Sequence, residues 1–76
     1  MAFTRINIDP EIMGGVPCIR GTRIPVPMLV RMAAAGRTIA QIVAEYPQLS
    51  EEDVGEALRF AAASVDQRAF PLDLPA

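Results

Sequence analysis

Gly36-Arg37-Thr38-Ile39-Ala40-Gln41-Ile42-Val43-Ala44-Glu45-Tyr46-Pro47-Gln48-Leu49-Ser50-Glu51-Glu52-Asp53-Val54 holds the end of one helix, the whole of a second and the start of a third. Thr38 and Gln41 stand at capping-box spacing, so a helix begins there. Ile39, Ile42, Val43 and Tyr46 form one apolar face at helical spacing, and Pro47 closes it. Ser50 and Asp53 repeat the start signal, with Leu49 and Val54 spaced as a hydrophobic staple. Glu51, Glu52 and Asp53 sit where the helix dipole favours negative charge. Upstream, Pro27 suits a first helical position, Leu29, Met32 and Ala33 share a face, and Gly36 ends the segment. Downstream, Val54, Leu58, Ala61 and Val65 predict the buried stripe of the third helix. A short helix, a short joint, a second short helix, a three-residue turn and a longer helix have the lengths of a tri-helical helix-turn-helix core.

The residues before this core read as β structure. Ile6 and Ile8 alternate with polar neighbours until Pro10, which predicts a short strand over residues 4–8. Residues 16–26 predict a hairpin turning at Arg20-Gly21-Thr22, where glycine supplies a positive φ. Pro17 and Pro25 lack an amide hydrogen and keep these strands at an edge or outside a ladder. The expected fold is therefore mainly α: a three-helix, helix-turn-helix-like core with a short N-terminal strand and hairpin, winged-helix-like in layout. Residues 1–68 form one domain, with the β element and basic hairpin in 1–26 and the helices in 27–68. Residues 69–76 are an extended apolar tail.

A chain of 76 residues is small for a self-sufficient core, burying only about 60–65% of its unfolded surface. Cys18 is the single cysteine and there is no histidine, so neither a disulfide nor a metal site is expected to help, and no cofactor is implied. Yet 51% of residues are apolar and the mean hydropathy is +0.27. That surplus predicts association, as a homodimer or with a tight partner. No apolar run approaches the length of a membrane span, so no membrane partner is expected and the chain reads as cytoplasmic. Charge is split. Arg5, Arg20, Arg23, Arg31 and Arg37 outnumber Asp9 and Glu11 in the first half, whereas seven acids face Arg59 and Arg68 in the second. One face can then meet an anion and another a cationic surface.

Arg20, Thr22 and Arg23 on a rigid turn, with Arg37, are the candidate DNA contacts, since guanidinium groups grip phosphates or the edge of guanine. The competing reading pairs Arg20 and Arg23 with acids of the third helix. That helix opens on three acids, which the phosphate backbone repels, so it is not expected to read the major groove. Catalysis has little support: no histidine can serve as base, and Cys18 has no activating partner. Acids on one helix turn diverge rather than converge on metals. In the tail, Phe70, Leu72 and Leu74 alternate, so an extended strand presents all three to another protein's groove. The alternative is that the tail covers its own core or that of a dimer mate.

Asp9-Pro10-Glu11-Ile12-Met13-Gly14-Gly15, followed by Pro17-Cys18-Ile19-Arg20-Gly21-Thr22-Arg23-Ile24-Pro25-Val26, closely resembles the bacterial family catalogued as domain of unknown function 433, regarded as VapB-type antitoxins. The resemblance runs through Ala35-Gly36, Ile39–Tyr46 and Ser50–Val54 to Ala61, about residues 5–63. It implies a non-enzymatic antitoxin that neutralises a PIN-like ribonuclease toxin and binds its own promoter DNA. The family's loop maps onto Arg20, Gly21, Thr22 and Arg23. Val16 stands where the family often has a basic or small polar residue, which removes one possible phosphate contact. Such a toxin has a basic RNA groove and acid-bound magnesium, which an acidic helix, or Arg68 delivered by the tail, could block by pairing with the groove or with its carboxylates; Arg68, Phe70, Leu72 and Leu74 are the candidate toxin contacts. The alternatives are a transcriptional regulator without a toxin, and a dimerisation module of a larger assembly.

Overall fold

Two short strands, β1 (Ile6–Asn7) and β2 (Cys18–Ile19), pair antiparallel with Ile6 opposite Ile19 and Asn7 opposite Cys18. The computed structural model describes residues 3–66. After β2 come α1 (Val26–Ala34), α2 (Ile39–Glu45) and α3 (Glu51–Asp66). The fold is mainly helical, with three helices behind a small two-stranded sheet, as the sequence predicts. The strand expected over residues 4–8 is shorter because the Ile6 amide turns back to the Phe3 carbonyl (3.2 Å). The hairpin over residues 16–26 forms without a full ladder. Ile19 N–H donates to Ile24 O (3.0 Å) and Val26 N–H to Pro17 O (2.8 Å), while Pro25 makes only an isolated bridge to Cys18. Two prolines without amide hydrogens leave few donors to extend it.

The helix boundaries follow from the caps. α1 begins one residue earlier than Pro27, because extended Pro25 caps it and Val26 already donates to the hairpin. It ends in a Schellman arrangement: Gly36 has φ +96°, its N–H donates to Ala33 O, and Arg37 N–H donates to Met32 O (3.1 Å). Both halves of the α2 capping box are present, Gln41 N–H to Thr38 Oγ1 (3.1 Å) and Thr38 N–H to Gln41 Oε1 (2.8 Å). The α3 start repeats it, with Asp53 N–H donating to Ser50 Oγ (3.1 Å) and Ser50 N–H to Asp53 Oδ2 (2.9 Å).

The large side chains fully buried on the helices are Leu29, Ile42 and Val54, one from each. Ile6, Ile19, Ile24, Val26, Leu49 and Ala57 complete it. The α3 stripe differs from the sequence expectation at its far end. Val54 and Ala57 are buried and Leu58 and Ala61 partly so, but Val65 is 56% exposed. At 1.5 Å per residue α3 is about 24 Å long, more than twice α2, so its last turns run past that helix. Phe3 and Phe60 meet edge to face, centroids 5.3 Å apart, and tie the N-terminal segment to α3.

A feature absent from the sequence reading is the turn between the strands. Met13, Gly14 and Gly15 take φ values of +54°, +67° and +90°, three consecutive left-handed residues. Two are glycine; Met13 is not, and an L residue held there costs about 1–2 kcal/mol. Met13→Gly is therefore expected to raise stability by up to about 1 kcal/mol after the extra backbone entropy of glycine is subtracted. Thermal unfolding followed by circular dichroism checks this. A lower melting temperature would mean that contacts of the half-exposed methionine outweigh the strain.

Candidate functional site

The turn at residues 20–23 is rigid because its own polar groups hold it. Thr22 Oγ1 donates to Ile19 O (2.8 Å) and accepts from Ile24 N–H (3.0 Å), while Thr22 N–H also reaches Ile19 O (3.0 Å). Gly21 supplies φ +80° at the apex. Arg20 folds back over β1: its Nε donates to Thr4 O (2.9 Å), a terminal nitrogen to Ile6 O (3.3 Å), and its amide to Arg5 O (2.7 Å). Arg23 is exposed and, among the described residues, makes neither an ion pair nor a side-chain hydrogen bond. Arg37 pairs with Glu45 on α2. Of the four residues expected to meet DNA, Arg20, Thr22 and Arg37 have partners within the chain, and Arg23 alone has no side-chain partner among the described residues; all three arginines are exposed. Arg68, Phe70, Leu72 and Leu74 lie outside the described residues.

The acids of α3 do find an arginine, but it is Arg5 rather than Arg20 or Arg23. One terminal nitrogen of Arg5 donates to Asp53 Oδ1 (3.0 Å), the other to Glu52 Oε2 (3.2 Å), and its backbone amide to Glu56 Oε2 (2.6 Å). Its Nε lies 3.9 Å from the other Glu56 oxygen. Burial pushes the Asp53 carboxyl up, but the Ser50 amide, the Arg5 guanidinium and the Ser50 hydroxyl outweigh it and hold the group below its ordinary value. The bond to Asp53 in turn raises the Arg5 guanidinium. Opposite charge was the only sequence signal for this brace, and it spans almost fifty positions.

A third feature had no sequence signal. An open groove of about 660 Å³ runs between α1 and the C-terminal half of α3, closed at one side by Ile8, Gly15 and Pro17. Val26, Pro27 and Val30 line it from α1, and Phe60, Ala61 and Ser64 from α3. Ile8 is 57% exposed at its edge, and Val65 lies one helical turn beyond Ala61. Among the described residues Arg31 is the one charged side chain in the lining. The Cys18 thiol is buried and donates to Val16 O (3.4 Å). Among the described residues no three His, Cys, Asp or Glu side chains are placed to hold a metal ion, and no helix is long and apolar enough to cross a membrane.

The model of a family described as "Protein of unknown function (DUF433)" matches residues 6–61. The chain is 34% identical over 59 residues to the uncharacterized protein y4eO of Sinorhizobium fredii, which covers 78% of this chain. It spans only 27% of that relative's length. The crystal structure of a DUF433 member protein from Anabaena variabilis superposes with a TM-score of 0.76 at 36% identity, over 83% of this chain and 62% of that one.

Proposed function

Because the chain belongs to the DUF433 family, we propose that it is an antitoxin that binds a PIN-like ribonuclease and contacts its own promoter DNA. The observation that carries this reading is the turn at residues 20–23. Arg20 and Thr22 hold its shape, and Arg23 is presented on it without a partner among the described residues. A cation displayed on a rigid support loses little entropy on meeting an anion, whether a phosphate or an acid of a ribonuclease. DNA contact is assigned to this turn rather than to α3, whose acidic first turn repels a phosphate backbone and is already braced by Arg5. The tail residues Arg68, Phe70, Leu72 and Leu74 are the proposed toxin contacts. A homodimer is part of the same proposal.

Co-expression with a PIN-like ribonuclease encoded beside this chain tests the reading. A copurifying complex of defined stoichiometry by light scattering, with growth rescued relative to the ribonuclease alone, supports it. A chain that ignores the ribonuclease and leaves growth arrested overturns it. The DNA half has its own readout in a gel-shift titration against the upstream sequence. Arg23→Ala is expected to weaken binding and to lower the salt slope by about one. Arg20→Ala and Thr22→Ala are expected to loosen the turn and lower thermal stability instead.

A further inference from the structure

We propose that residues 69–76 of the chain, Ala69-Phe70-Pro71-Leu72-Asp73-Leu74-Pro75-Ala76, seat in the groove between α1 and α3 of the same molecule. The groove needs an occupant. It is open and lined largely by apolar side chains, with Ile8 and Val65 more than half exposed around it. Leaving such a surface to water is unfavourable, and a contiguous exposed apolar surface marks a binding site.

Reach favours this occupant. Asp66 of α3 lies two positions past Ser64, which lines the groove. Phe60 to Asp66 is about 9 Å along the helix axis, whereas the four residues from Asp66 to Phe70 extend up to about 14 Å. A chain reversing after α3 therefore brings Phe70 alongside Phe60 and Ala61. Backbone preference agrees, since Pro71 and Pro75 bias Phe70 and Leu74 towards extended conformations. An extended run then offers Phe70, Leu72 and Leu74 on one side.

Charge agrees as well. Among the described residues Arg31 is the only charged one in the lining and has no ion pair, and it is exposed. The segment carries a single acid, Asp73, among its apolar residues. An apolar groove with one cation matches an apolar segment with one carboxylate. This goes beyond the antitoxin reading and is independent of it. If both hold, the segment reaches a ribonuclease only by leaving the groove, and the two occupancies compete.

The test uses the full chain alone, labelled with ¹³C at its methyl groups, and records nuclear Overhauser contacts. Cross-peaks from the Phe70 ring to the methyls of Val30 and Ala61 are expected. Arg31→Glu is expected to weaken them by about two- to fivefold, and Arg31→Glu with Asp73→Arg to restore them. Unchanged Leu29 and Ile42 methyl shifts show that the variants remain folded. Absence of the cross-peaks in the native chain overturns the proposal. So does their appearance only between labelled and unlabelled chains in a mixed sample, which assigns the groove to a second copy. No ribonuclease is present, so failure of the antitoxin reading leaves the result unaffected.

Discussion

Leu29→Ala is expected to destabilise the domain by about 3 kcal/mol and to lower its melting temperature by roughly 12–25 °C. Leu29 is completely buried near the middle of α1, in the same cluster as Ile42 of α2 and Val54 of α3. Truncation removes its transfer energy and leaves a void that three converging helices cannot easily close. A domain of this size holds roughly 4–11 kcal/mol in total, so the loss is a large part of what keeps it folded. Urea unfolding should show a lower midpoint with an unchanged slope. Gln48→Ala, at an exposed position between α2 and α3, is the control and is expected to change stability by less than about 0.5 kcal/mol. Equal effects of the two substitutions would mean that the core is not centred where the helices place it.

Asp53 carries the second large effect. Its carboxylate accepts from the Ser50 amide and from Arg5, two bonds that together close the start of α3 and fasten residue 5 to it. Asp53→Ala is expected to cost about 2 kcal/mol near pH 7, the combined loss of a cap and a charge-assisted bond. Asp53→Asn keeps a cap acceptor and should cost less. The pH dependence has a definite sign. The folded carboxyl titrates below its ordinary value, so the unfolded chain takes up its proton first as the solution is acidified. Its contribution is present above the unfolded value of about 4 and is lost as pH falls through the lower folded value. The stability gap between the native chain and Asp53→Asn should therefore narrow below about pH 4. A gap that stays constant down to strongly acid conditions would show that the charge on Asp53 contributes nothing.

The parts legible in the sequence are those fixed by neighbours three or four positions apart. Thr38 with Gln41, Ser50 with Asp53, and Gly36 after α1 each carry their structural partner within one helical turn, and each forms as read. Strand length was harder, because Ile6 and Ile8 alternate correctly while the backbone partners that would pair Ile8 are missing. Val65 repeats the helical period but lies beyond the helices that would cover it, and periodicity alone does not know where a neighbour ends. The left-handed turn at Met13 was hidden because methionine gives no sign of a positive φ. At the candidate site, composition singled out the arginines, but it could not sort them. Arg37 binds Glu45 eight positions on, whereas Arg20 binds carbonyls and Arg5 binds α3 through contacts between segments far apart in sequence, and Arg23 is left without a partner among the described residues. The groove is likewise a product of three elements and belongs to none of their sequences.

The Arg5 brace also governs timing. It joins groups 48 and 51 positions apart, whereas the caps of α2 and α3 close over three. Contacts that close so long a loop are assembled after the local ones, because the chain must surrender more freedom before they form. A late contact scarcely affects how fast the domain folds and chiefly affects how fast it opens. Arg5 is thus a determinant of the folded state's lifetime: weakening it should shorten residence in the native state while leaving the refolding rate nearly unchanged.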